Sequence, residues 1–206
     1  MSFYEHRILP HVLDCACSLA PVTKQRLKVV PLARGRVLEV GIGSGLNLAH
    51  YDPQKVTTVI GVDPGAELIT MAQRRARKAR VTVEFLEGEG ETIPLEDASV
   101  DTVLVTYTLC TIPGVERALG QMRRVLKREG TLLFCEHGLA PDAGVARWQR
   151  RIEPLWGRLA GGCHLSRDVP ALLQGAGFAV ELFETAYLKG APRFAGYHYI
   201  GAAKPR

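Results

Sequence analysis

Val37-Leu38-Glu39-Val40-Gly41-Ile42-Gly43-Ser44-Gly45-Leu46-Asn47-Leu48 (VLEVGIGSGLNL) passes from an apolar run of strand length into three glycines at alternate positions. A strand that empties into glycines suits a parallel sheet whose first loop brings bare backbone up to a nucleotide-like ligand. The flanking sequence repeats the strand signal. Arg36–Val40, Val56–Val62, Val81–Leu86, Val100–Thr106 and Thr131–Cys135 read as five strands. Between them, Gly65–Ala79 and Val115–Lys127 carry apolar residues at helical spacing. A helix is also expected directly after the glycine loop. Strands apolar on both faces that alternate with helices predict a parallel sheet covered on each side.

The end of the chain breaks the alternation. Phe178–Glu184 and Phe194–Ala202 read as strands joined only by TAYLKGAPR, a connection suited to a hairpin, so the last strand should run antiparallel. The expected architecture is a Rossmann-like, seven-stranded, mostly parallel α/β sheet with an antiparallel last strand and helices on both faces. One domain spanning residues 1–206 is expected, with an N-terminal lid over residues 1–30 and an inserted helical element over 139–165. Ser166 is read as the cap of the helix that follows. No apolar run approaches 18 residues, and Glu5, His6, Arg7, His11 and Asp14 spoil a signal-peptide reading. The five cysteines are odd in number and scattered, which fits reduced thiols in the cytoplasm. The net charge of +5 gathers in three basic helix clusters, the first two (Arg74–Arg80 and Arg123–Arg128) without interleaved aromatics, and a nucleic-acid partner is not expected.

The loop discriminates between two kinds of ligand. A dinucleotide site needs a glycine where Leu46 stands, and Glu39 beside the loop disfavours a pyrophosphate but suits an ammonium. Asp63 ends the second strand, 22 positions after Gly41, where a carboxylate can accept from ribose hydroxyls. A ribose, an ammonium and no phosphate describe S-adenosylmethionine. A nicotinamide oxidoreductase is the distant rival.

VLEVGIGSG, GVDPGAELITMAQ and LEGEGETIPLEDASVDTVLVT together resemble the class I S-adenosylmethionine-dependent methyltransferases over residues 36–136. That resemblance implies that Glu39, Gly41, Ile42, Gly43, Gly45 and Asn47 face the methionine part of the cofactor, and that Asp63 takes the ribose. Pro64 would border the adenine, and Glu89, with Gly90 and Glu91, would bind its amino group. Thr106 and Tyr107 would lie beneath the sulfonium.

A narrower resemblance lies in Leu109-Cys110, Glu136-His137, Pro154, Trp156, Gly162-Cys163 and Leu165-Ser166-Arg167. These are similar to the methyltransferase-like thiol S-methyltransferases of animals and their bacterial relatives, some of which are called phospholipid N-methyltransferases. The animal proteins carry an N-terminal hydrophobic anchor that this sequence lacks, so stable membrane insertion is not expected, although peripheral lipid contact is left open. The expected acceptor is a small molecule, most simply a thiol. The alternatives are phosphatidylethanolamine and a cofactor-binding protein without turnover. His137 is the candidate base or positioning group. Tyr4, Cys110, Trp148, Trp156 and His164 are candidate substrate-side residues, with Phe3, Ile8, Val12 and Leu19 completing an N-terminal apolar stripe. No metal site is expected, because no cysteine or histidine pair has persuasive ligand spacing.

Overall fold

Each central strand sends alternate side chains to opposite faces of the sheet, which is why its sequence is apolar throughout. The computed structural model describes residues 4–206, with the side chains of Glu5, His6, Glu87, Leu182 and Phe183 left aside; Phe3 lies outside the described residues. The parallel strands β1 (Gly35–Val40), β2 (Val56–Asp63), β3 (Thr82–Glu87), β4 (Val100–Thr106) and β5 (Leu126–His137) are followed by β6 (Phe178–Tyr187) and β7 (Tyr197–Pro205). The sheet order is β3-β2-β1-β4-β5-β7-β6, and β7 is antiparallel to both of its neighbours. The seven strands and the reversed last strand are as the sequence predicts.

On one face Leu38, Ile60, Val103, Leu132 and Phe134 pack with Leu119 and Met122; on the other, Val37, Val59, Leu104 and Leu133 pack with Val29, Val30 and Leu48. Burying a side chain such as Phe134 contributes about 1.5–3 kcal/mol, and Phe134 is fully buried. The first face is covered by α4 (Val115–Val125) and α6 (Val169–Gly175). The helices α1 (Leu9–Ser18) and α2 (Ala20–Arg26) precede the sheet, α3 (Ala66–Ala76) follows β2, and α5 (Ala143–Leu159) follows β5. Gln149 fastens α5 to the sheet: fully buried, it accepts from the Ala140 N–H at 2.9 Å and donates to the Gly138 and Phe194 carbonyls at 3.0 and 2.9 Å.

The structure corrects three local expectations. No helix follows the glycine loop. Three glycines with positive φ, at 41, 43 and 45, lead into successive i→i+3 turns through residue 50. Asp168, not Ser166, caps α6, accepting from the Ala171 N–H at 3.1 Å. Pro170 dictates this, because a proline is tolerated only in the first turn of a helix; the Ser166 N–H instead donates to Glu153 at 2.7 Å. The last strand begins at Tyr197, since Arg193–Gly196 close one helical turn, α7, which sets Phe194 edge-on to Trp156 with centroids 5.6 Å apart.

Candidate functional site

Chain order reverses between β1 and β4, and in such sheets ligands bind beyond the carboxyl ends of the strands at that reversal. Two loops meet there, Gly41–Gly45 after β1 and Tyr107–Cys110 after β4. The three glycines have different reasons for being glycine. A Cβ on Gly41 would stand 2.2 Å from the Thr108 side chain, and one on Gly45 would stand 3.0 Å from the Ala72 backbone. Gly43 faces open space, its nearest neighbour to a Cβ being the Gly41 carbonyl at 3.9 Å. Packing demands the outer two, and the middle one leaves a bare cradle. Ile42 turns inward and is buried against Gly61. Asp63 closes the cradle by accepting from the Gly43 N–H at 2.9 Å and the Gly65 N–H at 2.8 Å. Burial raises its carboxyl above the usual range, and these two bonds oppose that rise.

Glu39 is buried at the centre of a polar cluster. Tyr51 donates to one carboxylate oxygen at 2.6 Å and Asn47 to the other at 2.8 Å. Asn47 also donates to the Thr106 hydroxyl at 2.9 Å. Arg26, from the end of α2, donates to Asn47 at 3.0 Å and to Thr106 at 2.6 Å, and it lies over the Tyr107 ring at 4.9 Å. Arg26 and Tyr51 escape a sequence reading, because neither stands in a motif and only the fold brings them to Glu39. Tyr107 adopts φ +56, a left-handed conformation that non-glycine residues rarely hold outside functional turns. Its buried hydroxyl and the Nε of Arg26 have no hydrogen-bond partner among the described residues.

Burial pushes the Glu39 carboxyl up to about 7, against the bonds from Tyr51 and Asn47 and the nearby Arg26 charge. An ammonium ligand needs the ionised carboxylate. The ionised fraction falls as pH drops through that value, so an amine-bearing ligand should bind more weakly on the acid side. S-Adenosylhomocysteine affinity is expected to fall about tenfold between about pH 8 and about pH 6. Calorimetric titration across that window should show the slope, and Glu39→Gln should flatten it. An unchanged slope in the variant would remove Glu39 as its source.

The residues expected around the adenine separate in the structure. Gly90 is buried, with Val40 3.0 Å from where its Cβ would lie, whereas Pro64 and Glu89 are exposed at the mouth. Glu91 is buried and accepts from the Gly114 N–H at 3.0 Å, so it anchors the start of α4 rather than facing solvent.

On the far side of β4 the structure assembles a group that no spacing in the sequence discloses. Cys110, His137 and Cys163 bring one sulfur, one ring nitrogen and one sulfur within 4.8 Å of one another. His137 Nε2 lies 3.2 Å from the Cys163 sulfur. The Cys110 thiol and the His137 imidazole hold the Cys163 thiol below its usual range despite burial, with the Trp156 indole adding to this. In turn Cys163 and burial raise Cys110, and Cys163 raises His137 against burial. Neighbouring Glu136 is fully buried and accepts from the Thr108 N–H at 2.9 Å, which fixes the loop that carries Cys110.

Trp156 reaches this group and Trp148 does not. Trp148 is 52% exposed on the outer side of α5. His164 is exposed and pairs with Glu153 at 3.3 Å, apart from the buried group. Tyr4 lies in one π-helical turn, Tyr4–Ile8, and donates to the Leu159 carbonyl at 2.9 Å, tying the N-terminal segment to the end of α5. Ile8, Val12 and Leu19 of the N-terminal stripe are 43–55% exposed.

Comparison with known proteins places these features in context. Residues 38–134 match the methyltransferase domain family. A protein named thiol S-methyltransferase TMT1B, from Rattus norvegicus, is 32% identical over 171 residues, which cover 81% of this chain and 69% of that protein. Phosphatidylethanolamine N-methyltransferase of Cereibacter sphaeroides is 30% identical over 112 residues, 53% of this chain and 54% of that protein. A crystal structure from Thermotoga maritima, described as a SAM-dependent methyltransferase and possible histamine N-methyltransferase, aligns with a TM-score of 0.64 at 23% identity, covering 98% of this chain and 94% of that one. At that identity the likeness concerns the fold.

Proposed function

The chain belongs to the S-adenosylmethionine-dependent methyltransferases, and on that premise we propose that its acceptor is a small thiol. The observation that carries the acceptor is the 32% identity, along most of both chains, to a protein named as a thiol S-methyltransferase. The residues present fit the methyl donor. Gly43 leaves an open cradle, and the buried Glu39 offers a carboxylate for an ammonium. Glu39, Asn47 and the Gly41–Gly45 loop would hold the amino-acid end of the cofactor, and Asp63 would hold its ribose. Gly90 would line the adenine side, and Thr106 and Tyr107 would lie toward the reacting centre. When bound, the cofactor supplies a methyl carbon on a positively charged sulfur, which is a good leaving group.

The chain's part is alignment and exclusion of water, because an in-line displacement gains most from positioning. A thiol is a few per cent thiolate at neutral pH and already strongly nucleophilic, so it requires little activation. An acceptor sulfur held here would release its proton to solvent and keep the electron pair that a methyl group on the donor would accept. His137 acts here as a positioning group rather than a free base, since Cys163 already engages its Nε2 at 3.2 Å. None of the cysteines is in a disulfide, which supports placement in a reducing cytoplasm.

A phospholipid amine is the second reading, and two observations favour it. One is the partial identity to a phosphatidylethanolamine N-methyltransferase. The other is the apolar exposure of Ile8, Val12, Leu155 and Leu159 near the Tyr4–Leu159 contact. No described helix is long and apolar enough to cross a membrane. Radiolabelled S-adenosylmethionine should be offered to the protein with alkyl thiols, ethanolamine-lipid vesicles and phenols in parallel. Label is expected in the alkyl thiols. Label confined to the lipid would overturn the thiol assignment.

A further inference from the structure

We propose that Cys110, His137 and Cys163 form a binding site for a thiophilic divalent cation of the zinc type, whose fourth coordination position receives the acceptor's sulfur; this last part rests on the thiol reading above. The three donors come from the loop after β4, the end of β5 and the loop after α5. They stand 27 and 26 positions apart in the chain, so their convergence is a property of the fold.

Their spacing suits one ion. Tetrahedral zinc, with bonds of about 2.3 Å to sulfur and about 2.0 Å to nitrogen, places its ligand atoms roughly 3.5–3.8 Å apart. Here all three ligand atoms lie within 4.8 Å of one another, and His137 Nε2 and the Cys163 sulfur are 3.2 Å apart. Closing that set around an ion requires shifts of under about 1 Å. Two sulfurs and an imidazole are also the donor types that select zinc over calcium or magnesium.

The scaffold around the donors is already fixed. The His164 N–H donates to the Cys110 carbonyl at 2.8 Å, which clips the Cys163 loop directly to the Cys110 loop. Arg167 donates to the Leu109 carbonyl from the same side, and Glu136 holds the Thr108 N–H. Both sulfurs are buried. The remaining ring nitrogen of His137 is buried and has no partner among the described residues. The contact the imidazole makes is through Nε2, the atom that meets the Cys163 sulfur.

Structural zinc sites are closed by four protein ligands, whereas catalytic ones keep three and leave a position open. The group here has three. It also borders the donor site, because Cys110 follows Thr108 by two positions and the Thr108 side chain touches the Gly41 loop. A thiol bound to such a cation is deprotonated outright. Its proton passes to solvent, and the sulfur keeps the electron pair that forms the new bond to the methyl carbon.

The cation site itself is tested with neither acceptor nor methyl donor. The full chain, reduced and stripped with chelator, is titrated with Zn2+ and separately with Co2+. One equivalent of zinc and a thiolate-to-cobalt charge-transfer band are expected. Cys110→Ser and Cys163→Ser should each lose both signals, while Cys15→Ser retains them. In the unmutated protein, zinc should shield Cys110 and Cys163 but not Cys15 from alkylation, as read by peptide mass spectrometry. This arm does not depend on whether a variant folds. Substoichiometric zinc, cobalt binding without the sulfur band, or alkylation unchanged by zinc would overturn the site. Thiol methylation in the labelling assay that survives chelation would overturn the fourth-position role and leave the thiol acceptor standing. Zinc binding without any thiol methylation would keep the cation site but overturn the thiol acceptor, and with it the fourth-position role.

Discussion

Asp63→Ala is expected to abolish the stabilisation of the protein by S-adenosylhomocysteine. The carboxylate ends β2 beside the glycine cradle, and its two oxygens offer about four acceptor directions. Gly43 and Gly65 occupy two of these, which leaves two for a pair of ribose hydroxyls. Hydrogen bonds to a charged group contribute about 1.5–3 kcal/mol each, so losing both should weaken binding by at least about 100-fold. The same substitution strips the acceptor from two loop N–H groups, so the ligand-free protein should melt lower as well. Asp63→Asn separates the effects, since it keeps an acceptor for the loop but loses the charge. A thermal-shift titration reads both quantities. An unchanged ligand-induced shift in Asp63→Ala would place the ribose elsewhere.

Gly41→Ala should be the most damaging single-methyl change in the loop. The new Cβ would sit 2.2 Å from the Thr108 side chain, at a residue whose φ is +72. The left-handed conformation alone costs about 1–2 kcal/mol for a residue with a Cβ, and displacing Thr108 adds a comparable amount. Thr108 cannot yield freely, because its N–H is held by the buried Glu136. A loss of about 3 kcal/mol lowers the melting temperature of a chain of this size by roughly 6–12 °C. Gly43→Ala is the contrast. It has φ +54 and open space, so only the conformational cost applies, while the methyl group intrudes on the ligand's place. Gly41→Ala should therefore reduce stability more, and Gly43→Ala should reduce affinity more. Equal melting temperatures for the two variants would contradict the packing argument.

Much of this arrangement was readable from the residues. The strands were legible because a strand buried on both faces must be apolar at every position, as in Val37–Leu38 and Val103–Val105. Glu39 and Asp63 were legible because a carboxylate at the end of such a strand has no packing reason to be there. Arg26 and Tyr51 were hidden, since each sits in an ordinary local sequence and acquires its partner only through tertiary structure. The Cys110, His137 and Cys163 group was hidden for the same reason, as ligand-spacing rules detect only neighbours in the chain. The two tryptophans part through helical phase. Eight residues leave about 80° between two side chains on a helix, enough to put Trp148 outside while Trp156 faces inward.

Arg26 also couples two parts of the molecule that lie apart in the chain. It belongs to the N-terminal segment, which is otherwise pinned by Tyr4 to α5 and by Asp14 to Ser44 and Arg75. Yet its guanidinium is built into the hydrogen bonds that hold Asn47 and Thr106. Seating of the segment and occupancy of the cofactor site are then reciprocal quantities, joined by one coupling free energy. Whatever favours the seated segment tightens cofactor binding by some factor, and the cofactor favours the seated segment by that same factor. A substrate or surface that draws on the segment's exposed apolar side would be felt at the cofactor site without touching it.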